Sequence, residues 1–202
     1  MELAHLLAFN LALLAAIASP GPSLLYLVKT TLTNGRSAGV AAGAGLALMA
    51  ALWTLAALLG LDTIFTLFPW AYAVLKVAGA AYLIWIALQT WRHARAPVPE
   101  NGASSSRGQA FLAGLMINLA NPKSVFFAAA VIVVIFPADL NGTDKFIIFA
   151  NHLAVELIVQ PALAILLSTG VIRARYLALK PAIDRTVAII LGALGLRLLF
   201  AR

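Results

Sequence analysis

Asn121-Pro122-Lys123-Ser124 stands in the middle of an apolar run from Gly108 to Ala138 whose only charged residue is Lys123. A polar break in such a run is a strong constraint, because backbone groups freed at membrane depth must find partners within the protein. Asn is a good helix N-cap and Pro suits the first helical position, so Asn121-Pro122 reads as one helix ending and a half-helix starting inside the bilayer. About a hundred residues earlier, Ser19-Pro20-Gly21-Pro22-Ser23 interrupts the first apolar run with the same grammar: a capping side chain, then Pro, here loosened by Gly and a second Pro. Paired breaks in corresponding segments of two halves point to the binding site of a transporter. Two plain proline kinks are the simpler alternative. The pairing and the charge on Lys123 favour a site.

The 202-residue chain is 63% hydrophobic and 10% charged with a mean hydropathy of +0.98, whereas a soluble domain carries roughly 25% charged residues. It reads as an integral membrane protein whose partner is the lipid bilayer. The net charge of +7 does not signal nucleic acid, because the basic residues stand at the ends of apolar runs and form no patch with interleaved aromatics. With no Cys, disulfides, thiolate metal sites and cysteine nucleophiles are excluded. His5, His93 and His152 are too dispersed for a soft-metal site, so neither metal nor cofactor is expected.

Leu3 to Val28 is long enough, at about 1.5 Å per residue, to cross a hydrocarbon core of about 30 Å. Ala16-Ile17-Ala18 resembles a signal-peptide cleavage site, but no basic region precedes the run, which favours a retained span. Further runs extend from Ser37 to Leu61, Thr63 to Trp91, Gly108 to about Phe136, Phe146 to Ile172 and Ala182 to Ala201, making six spans of an all-α fold. Gly39, Gly43 and Gly45 in the second run suit close helix packing, within the chain in preference to a homodimer, which stays open. Residues 92–108 form a polar linker rich in Arg, Pro and Ser, dividing the chain into three-helix repeats at 1–91 and 109–202. Ala18-Ser19-Pro20 matches Ala120-Asn121-Pro122, Gly60 matches Gly170 and Gly79-Ala80 matches Gly192-Ala193. With an odd number of spans each, the repeats must be inverted.

Basic residues set the orientation. Lys29, Arg36, Arg92, Arg95, Arg107, Arg173, Arg175, Lys180 and Arg185 follow spans one, three and five, against Lys145, Arg197 and Arg202 on the other face. The positive-inside rule then puts the linker in the cytoplasm and both termini in the periplasm.

Half-helices starting at Pro20 or Pro22 and at Pro122 would aim free N–H groups and positive dipole ends inward, which makes an anion site. Lys123 adds a full charge in a first turn whose dipole disfavours it, so it needs a partner: a substrate carboxylate, or Glu156. Glu156 lies ten residues into the fifth run, about 15 Å deep and near the midplane. A permanent Lys123–Glu156 ion pair is one reading. The other uses Glu156 as a titratable group that meets a substrate ammonium or a proton, and so suits a zwitterion. Asn10, Asn118 and Gln160 either line the path or bond neighbouring helices. Lys76 reads as a structural residue that snorkels outward, and His152 as a solvated residue near the outer interface.

These residues resemble the LysE/RhtB superfamily of bacterial amino-acid exporters. The likeness rests on Ser19-Pro20-Gly21-Pro22, on Lys76 to Leu83 with Gly79-Ala80-Ala81-Tyr82, and on Gly114 to Lys123 followed by Phe126-Phe127, and it covers nearly the whole chain. It implies proton-driven efflux of amino acids or related small metabolites across the bacterial inner membrane. Family motif positions carry over onto Pro20, Pro22, Pro122, Lys76 and Lys123. Where the family often has a Pro-Gln-Phe-like stretch this chain has Val131 to Pro137, and its fifth span is divergent, so Glu156 has no assigned family position. A membrane-embedded hydrolase using Ser19 or Ser23 is the rival from another class, although no base lies near either serine in sequence. A metal-ion or other small-solute exporter is the rival within transporters.

Overall fold

Helix boundaries fall where capping side chains stand. In the computed structural model, Asn121 Oδ1 accepts the Lys123 N–H at 3.1 Å with Pro122 in the first turn, which starts one helix. Reciprocal capping boxes start two others: Ser106 with Gln109 (2.9 and 3.3 Å) and Asn141 with Asp144 (2.8 and 3.4 Å). The structure describes all residues except 19, 20, 69, 93, 96–105, 138, 201 and 202, and gives the backbone alone for Pro122 and for parts of the second, third and last helices. The described elements are all helices: α1 (Leu3–Ala18), α2 (Pro22–Leu67), α3 (Ala71–Arg92), α4 (Arg107–Leu119), α5 (Pro122–Ile135), α6 (Gly142–Leu167) and α7 (Gly170–Phe200).

The expected breaks are present, with α1 ending at Ala18 and α2 starting at Pro22, and α4 ending at Leu119 and α5 starting at Pro122. Residues 107–119 and 123–135 are bent by 59° relative to each other. α2 is itself interrupted at Gly35, whose φ of 80° and ψ of 176° belong to a region that only glycine occupies readily. Among the described residues two helices, Pro22–Gly60 and Gly142–Leu167, are long and apolar enough to cross a membrane, and the bent α4–α5 pair makes a third if it is one span.

Boundaries depart from expectation in two places. The second run was expected to end at Leu61 and the third to start at Thr63, but α2 reaches Leu67 and α3 starts at Ala71. The fifth run was expected to reach Ile172 and the sixth to start at Ala182, with a basic segment between, but α6 stops at Leu167 and α7 runs unbroken for 31 residues from Gly170. Arg, Ala, Leu and Lys are good helix formers, and Pro181 costs only local bonds. The Lys180 ammonium bonds the Asp184 carboxylate one turn on at 2.9 Å, with both side chains buried. At about 1.5 Å per residue, α7 is about 46 Å long and exceeds a core of about 30 Å, so its basic turns extend past the bilayer.

α2 packs along α4 and α6, and α3 along α7 and α5. Glycine makes the first contacts close. A Cβ at Gly45 would collide with the Phe111 carbonyl, one at Gly114 with the Ala42 carbonyl, and one at Gly43 would come within 3.1 Å of the Gln160 backbone. The small-residue stripe therefore serves packing inside the chain. Two apolar clusters result: Phe9, Leu13, Phe127, Val131 and Ile148 in one, and Leu24, Leu27, Leu46, Ala110 and Leu167 in the other. Apolar side chains also face outward: Leu3, Leu7, Leu11 and Leu14 form an exposed stripe on α1, as suits a surface against lipid.

Candidate functional site

Between the two clusters lies a cleft of about 540 Å³, its open mouth included. Six residues singled out from the sequence line it: Gly21, Asn118, Asn121, Lys123, Glu156 and Gln160. Pro22 is exposed at the start of α2, and Pro122 opens α5. Ser19 and Pro20, and the side chain of Lys76, lie outside the described residues.

Hydrogen bonds tie the two breaks together. Asn121, the N-cap of α5, donates through Nδ2 to Ser23 Oγ in the first turn of α2 at 2.9 Å. Ser23 in turn donates to Asn118 Oδ1 at 3.2 Å, where Ser124 also donates, and Asn118 Nδ2 reaches the Leu46 carbonyl at 2.7 Å. Buried amides in these positions cross-link α2, α4 and α5, since an unmet amide in an apolar interior is costly. Asn10 plays a similar part farther out, paired through both amide groups with Asn151 at 2.7 and 3.3 Å.

The first turn of α5 does not offer the free N–H groups expected of it. Pro122 has none, the Lys123 N–H goes to Asn121 Oδ1, and the Ser124 N–H goes to the Asn121 carbonyl at 3.0 Å. Positive charge at this side of the cleft comes from Lys123 itself. Its stem lies against Gly21, where a Cβ would be 3.5 Å from Lys123 Cδ, and Nζ donates to the Ala16 carbonyl at 3.1 Å. That carbonyl belongs to the last turn of α1, where unpaired C=O groups and the negative dipole end favour a cation. One partner of the Lys123 ammonium is therefore a helix C-terminus.

Glu156 is also partnered along a different route. It is 4% exposed, accepts from Gln160 Nε2 at 3.0 Å, and has His152 Nε2 at 3.6 Å from its other oxygen. Among the described residues its partners are thus one turn to either side on α6, so the permanent Lys123–Glu156 bridge is not the arrangement found. His152, expected to be solvated, is instead 2% exposed, lines the cleft and pairs with Thr54 through Nδ1 at 2.7 Å. Its spacing of four from Glu156 and eight from Gln160 puts three polar residues on one helical face, a signal available from sequence. Thr54 carried no comparable signal, while Ser23 and Ser124 stood in the two break motifs without a binding role of their own. The hydrolase arrangement is absent at Ser23, whose described partners are the amides of Asn118 and Asn121 and not a base.

A family model described as LysE type translocator matches residues 14–202. The threonine efflux protein of Escherichia coli is 28% identical over 195 residues, with 94% of each chain covered. The homoserine/homoserine lactone efflux protein of Salmonella typhimurium is 33% identical over 150 residues, covering 73% of each chain. An uncharacterized membrane protein of Escherichia coli, YahN, is 28% identical over 185 residues, covering 90% of this chain and 83% of that one. No solved structure is significantly similar to the chain.

Proposed function

The chain belongs to the LysE type translocator family, and from that premise we propose that it exports small zwitterionic amino acids from the cytoplasm, with threonine and homoserine as first candidates. The family and the named relatives are translocators and efflux proteins, so this is a membrane transporter and not an enzyme. One observation carries the substrate reading: among the described residues the cleft is lined by one ammonium, Lys123, which bonds the Ala16 carbonyl, and one carboxylate, Glu156, which bonds Gln160. Lys123 would meet the substrate carboxylate beside Asn121 and Gly21, and Glu156 with Gln160 would meet its ammonium. Asn118 shapes the floor between them. Pro22 and Pro122 open the helices after the two breaks, and Ser19, Pro20 and Lys76 stay candidates from the sequence.

In this reading six spans form two inverted repeats, 1–91 and 109–202, joined by a cytoplasmic linker at 92–108. Support comes from the repeated order of a broken helix followed by two further helical segments, with Gly35 separating the first two spans. Both termini face the periplasm of a bacterial inner membrane. Glu156 gains and loses a proton during export, because a permanently charged carboxylate at that depth is costly and its neighbours Gln160 and His152 are one turn to either side on α6. The first test is the culture medium of cells with and without overexpression. Threonine or homoserine should accumulate outside, and Lys123→Met should abolish the gain. Unchanged amino-acid levels would sink the proposal.

A further inference from the structure

Two buried polar atoms in the cleft have no hydrogen-bond partner among the described residues: His152 Nε2 and Gln160 Oε1. They stand on either side of Glu156, on residues 2% and 5% exposed that line the same cavity. Their senses differ. Gln160 gives its Nε2–H to Glu156, which leaves Oε1 as an acceptor. The sense of His152 follows from Thr54. Thr31 and Thr33 bond the carbonyls four residues earlier in their helix, whereas the partner of the Thr54 hydroxyl is His152 Nδ1 at 2.7 Å. Among the described residues the Thr54 hydroxyl proton has no other acceptor, so the assignment that satisfies it makes Nδ1 the acceptor and puts the imidazole proton on Nε2. Nε2–H then points at Glu156 across 3.6 Å, too far for a hydrogen bond. An unmet donor and an unmet acceptor thus flank one carboxylate.

A hydroxyl is the group that can accept from the first and donate to the carboxylate in the same position, while an ammonium satisfies Gln160 and the carboxylate together. We propose that His152, oriented by Thr54, reads a side-chain hydroxyl on the substrate, making the site selective for amino acids with a hydroxyl one or two carbons beyond the α carbon. The inference rests on the amino-acid export reading and names the substrate class of that same site. His152 is thereby a specificity-determining residue and Thr54 its positioning residue. Leu13, Ile17 and Phe127, which form an apolar wall of the cleft, have nothing to offer a polar side-chain group.

The test compares L-threonine with L-valine, which has the same shape and a methyl in place of the hydroxyl. Binding to the purified full-length protein in detergent is measured by calorimetry, with export into the medium as the second readout. A site that hydrogen-bonds the hydroxyl should favour threonine by more than about a hundredfold, because valine leaves buried groups unmet. In His152→Leu and in Thr54→Val the threonine-to-valine ratio should fall below about tenfold, whatever happens to the absolute affinity. Because the ratio is internal to each variant, a merely structural loss would not move it. If one variant fails to fold, the other and the wild-type ratio still decide. Equal binding of threonine and valine by the wild type, or an unchanged ratio in the variants, would overturn the hydroxyl reading alone. Absence of both binding and export for threonine, homoserine and valine would overturn it together with the export function.

Discussion

Asn118 uses both ends of its amide, donating to the Leu46 carbonyl and accepting from Ser23 and Ser124. Asn118→Ala should therefore lower stability by about 1–3 kcal/mol, seen as a drop in Tm of the detergent-purified protein, because several buried groups lose a partner at once. Lys123 and Glu156 make a different prediction. Their partners are separate, so Glu156→Gln should abolish pH-gradient-driven uptake into inverted vesicles, while Lys123→Met should weaken amino-acid binding. The double variant should show both losses, with stabilities additive within about 0.5 kcal/mol. A double variant that regained stability would restore the ion-pair strut instead. At this scale chemistry was legible where it interrupts a pattern: Asn-Pro in an apolar run, a lone Lys, a lone Glu. His152 is one turn from Glu156 on the same helical face, but its closeness to the outer interface outweighed that spacing and made a solvated side chain the preferred reading. Ser23 and Asn118 are 95 positions apart, and no local pattern announces a bond between them.

Helix contacts hang on glycines whose surroundings differ. Gly45→Ala places a methyl on the rigid Phe111 carbonyl and should cost about 1–3 kcal/mol, whereas Gly60 has nothing within 4 Å of a new Cβ. Gly60→Ala should leave Tm unchanged or raise it slightly, since alanine is the better helix former. Gly35→Ala has open space too, yet its positive φ makes it strained, and a loss of about 1–3 kcal/mol is expected. Thermal melts of the three variants side by side check all of this. Finding Gly45→Ala as stable as Gly60→Ala would mean that α2 and α4 are not packed as described. Both breaks could be read from hydropathy, proline and the capping residues alone. The start of α7 could not, because a string of basic residues looks like a loop when charge is weighed without the helix-forming Ala and Leu between.

For the molecule as a whole, the charge asymmetry that sets orientation survives one subtraction. Lys180 is bound to Asp184 and, at 3.3 Å, to the Ala94 carbonyl, so it is a packing residue and not a free topology signal. The other basic residues of that face still outweigh the opposite one. Ser105→Cys should accordingly resist a membrane-impermeant thiol reagent in intact cells, and Asn141→Cys should react with it. The reverse pattern would invert the topology. How the two halves engage was not readable from their resemblance to each other, because the bonds between them join positions that do not correspond. Asn10 meets Asn151, Tyr26 the Ala110 carbonyl at 3.2 Å, Trp53 the Asn118 carbonyl at 3.3 Å, and Thr54 meets His152. Each of these bonds, like that from Asn121 to Ser23, joins a residue made early on the ribosome to one made much later. The leading helices thus enter the bilayer before their polar partners have been synthesised, and non-local contacts of this kind form late. During that interval the nascent half is open to membrane proteases and insertion chaperones, so a chain stopped at the linker should be degraded, and coexpression of the second half as a separate chain should protect it.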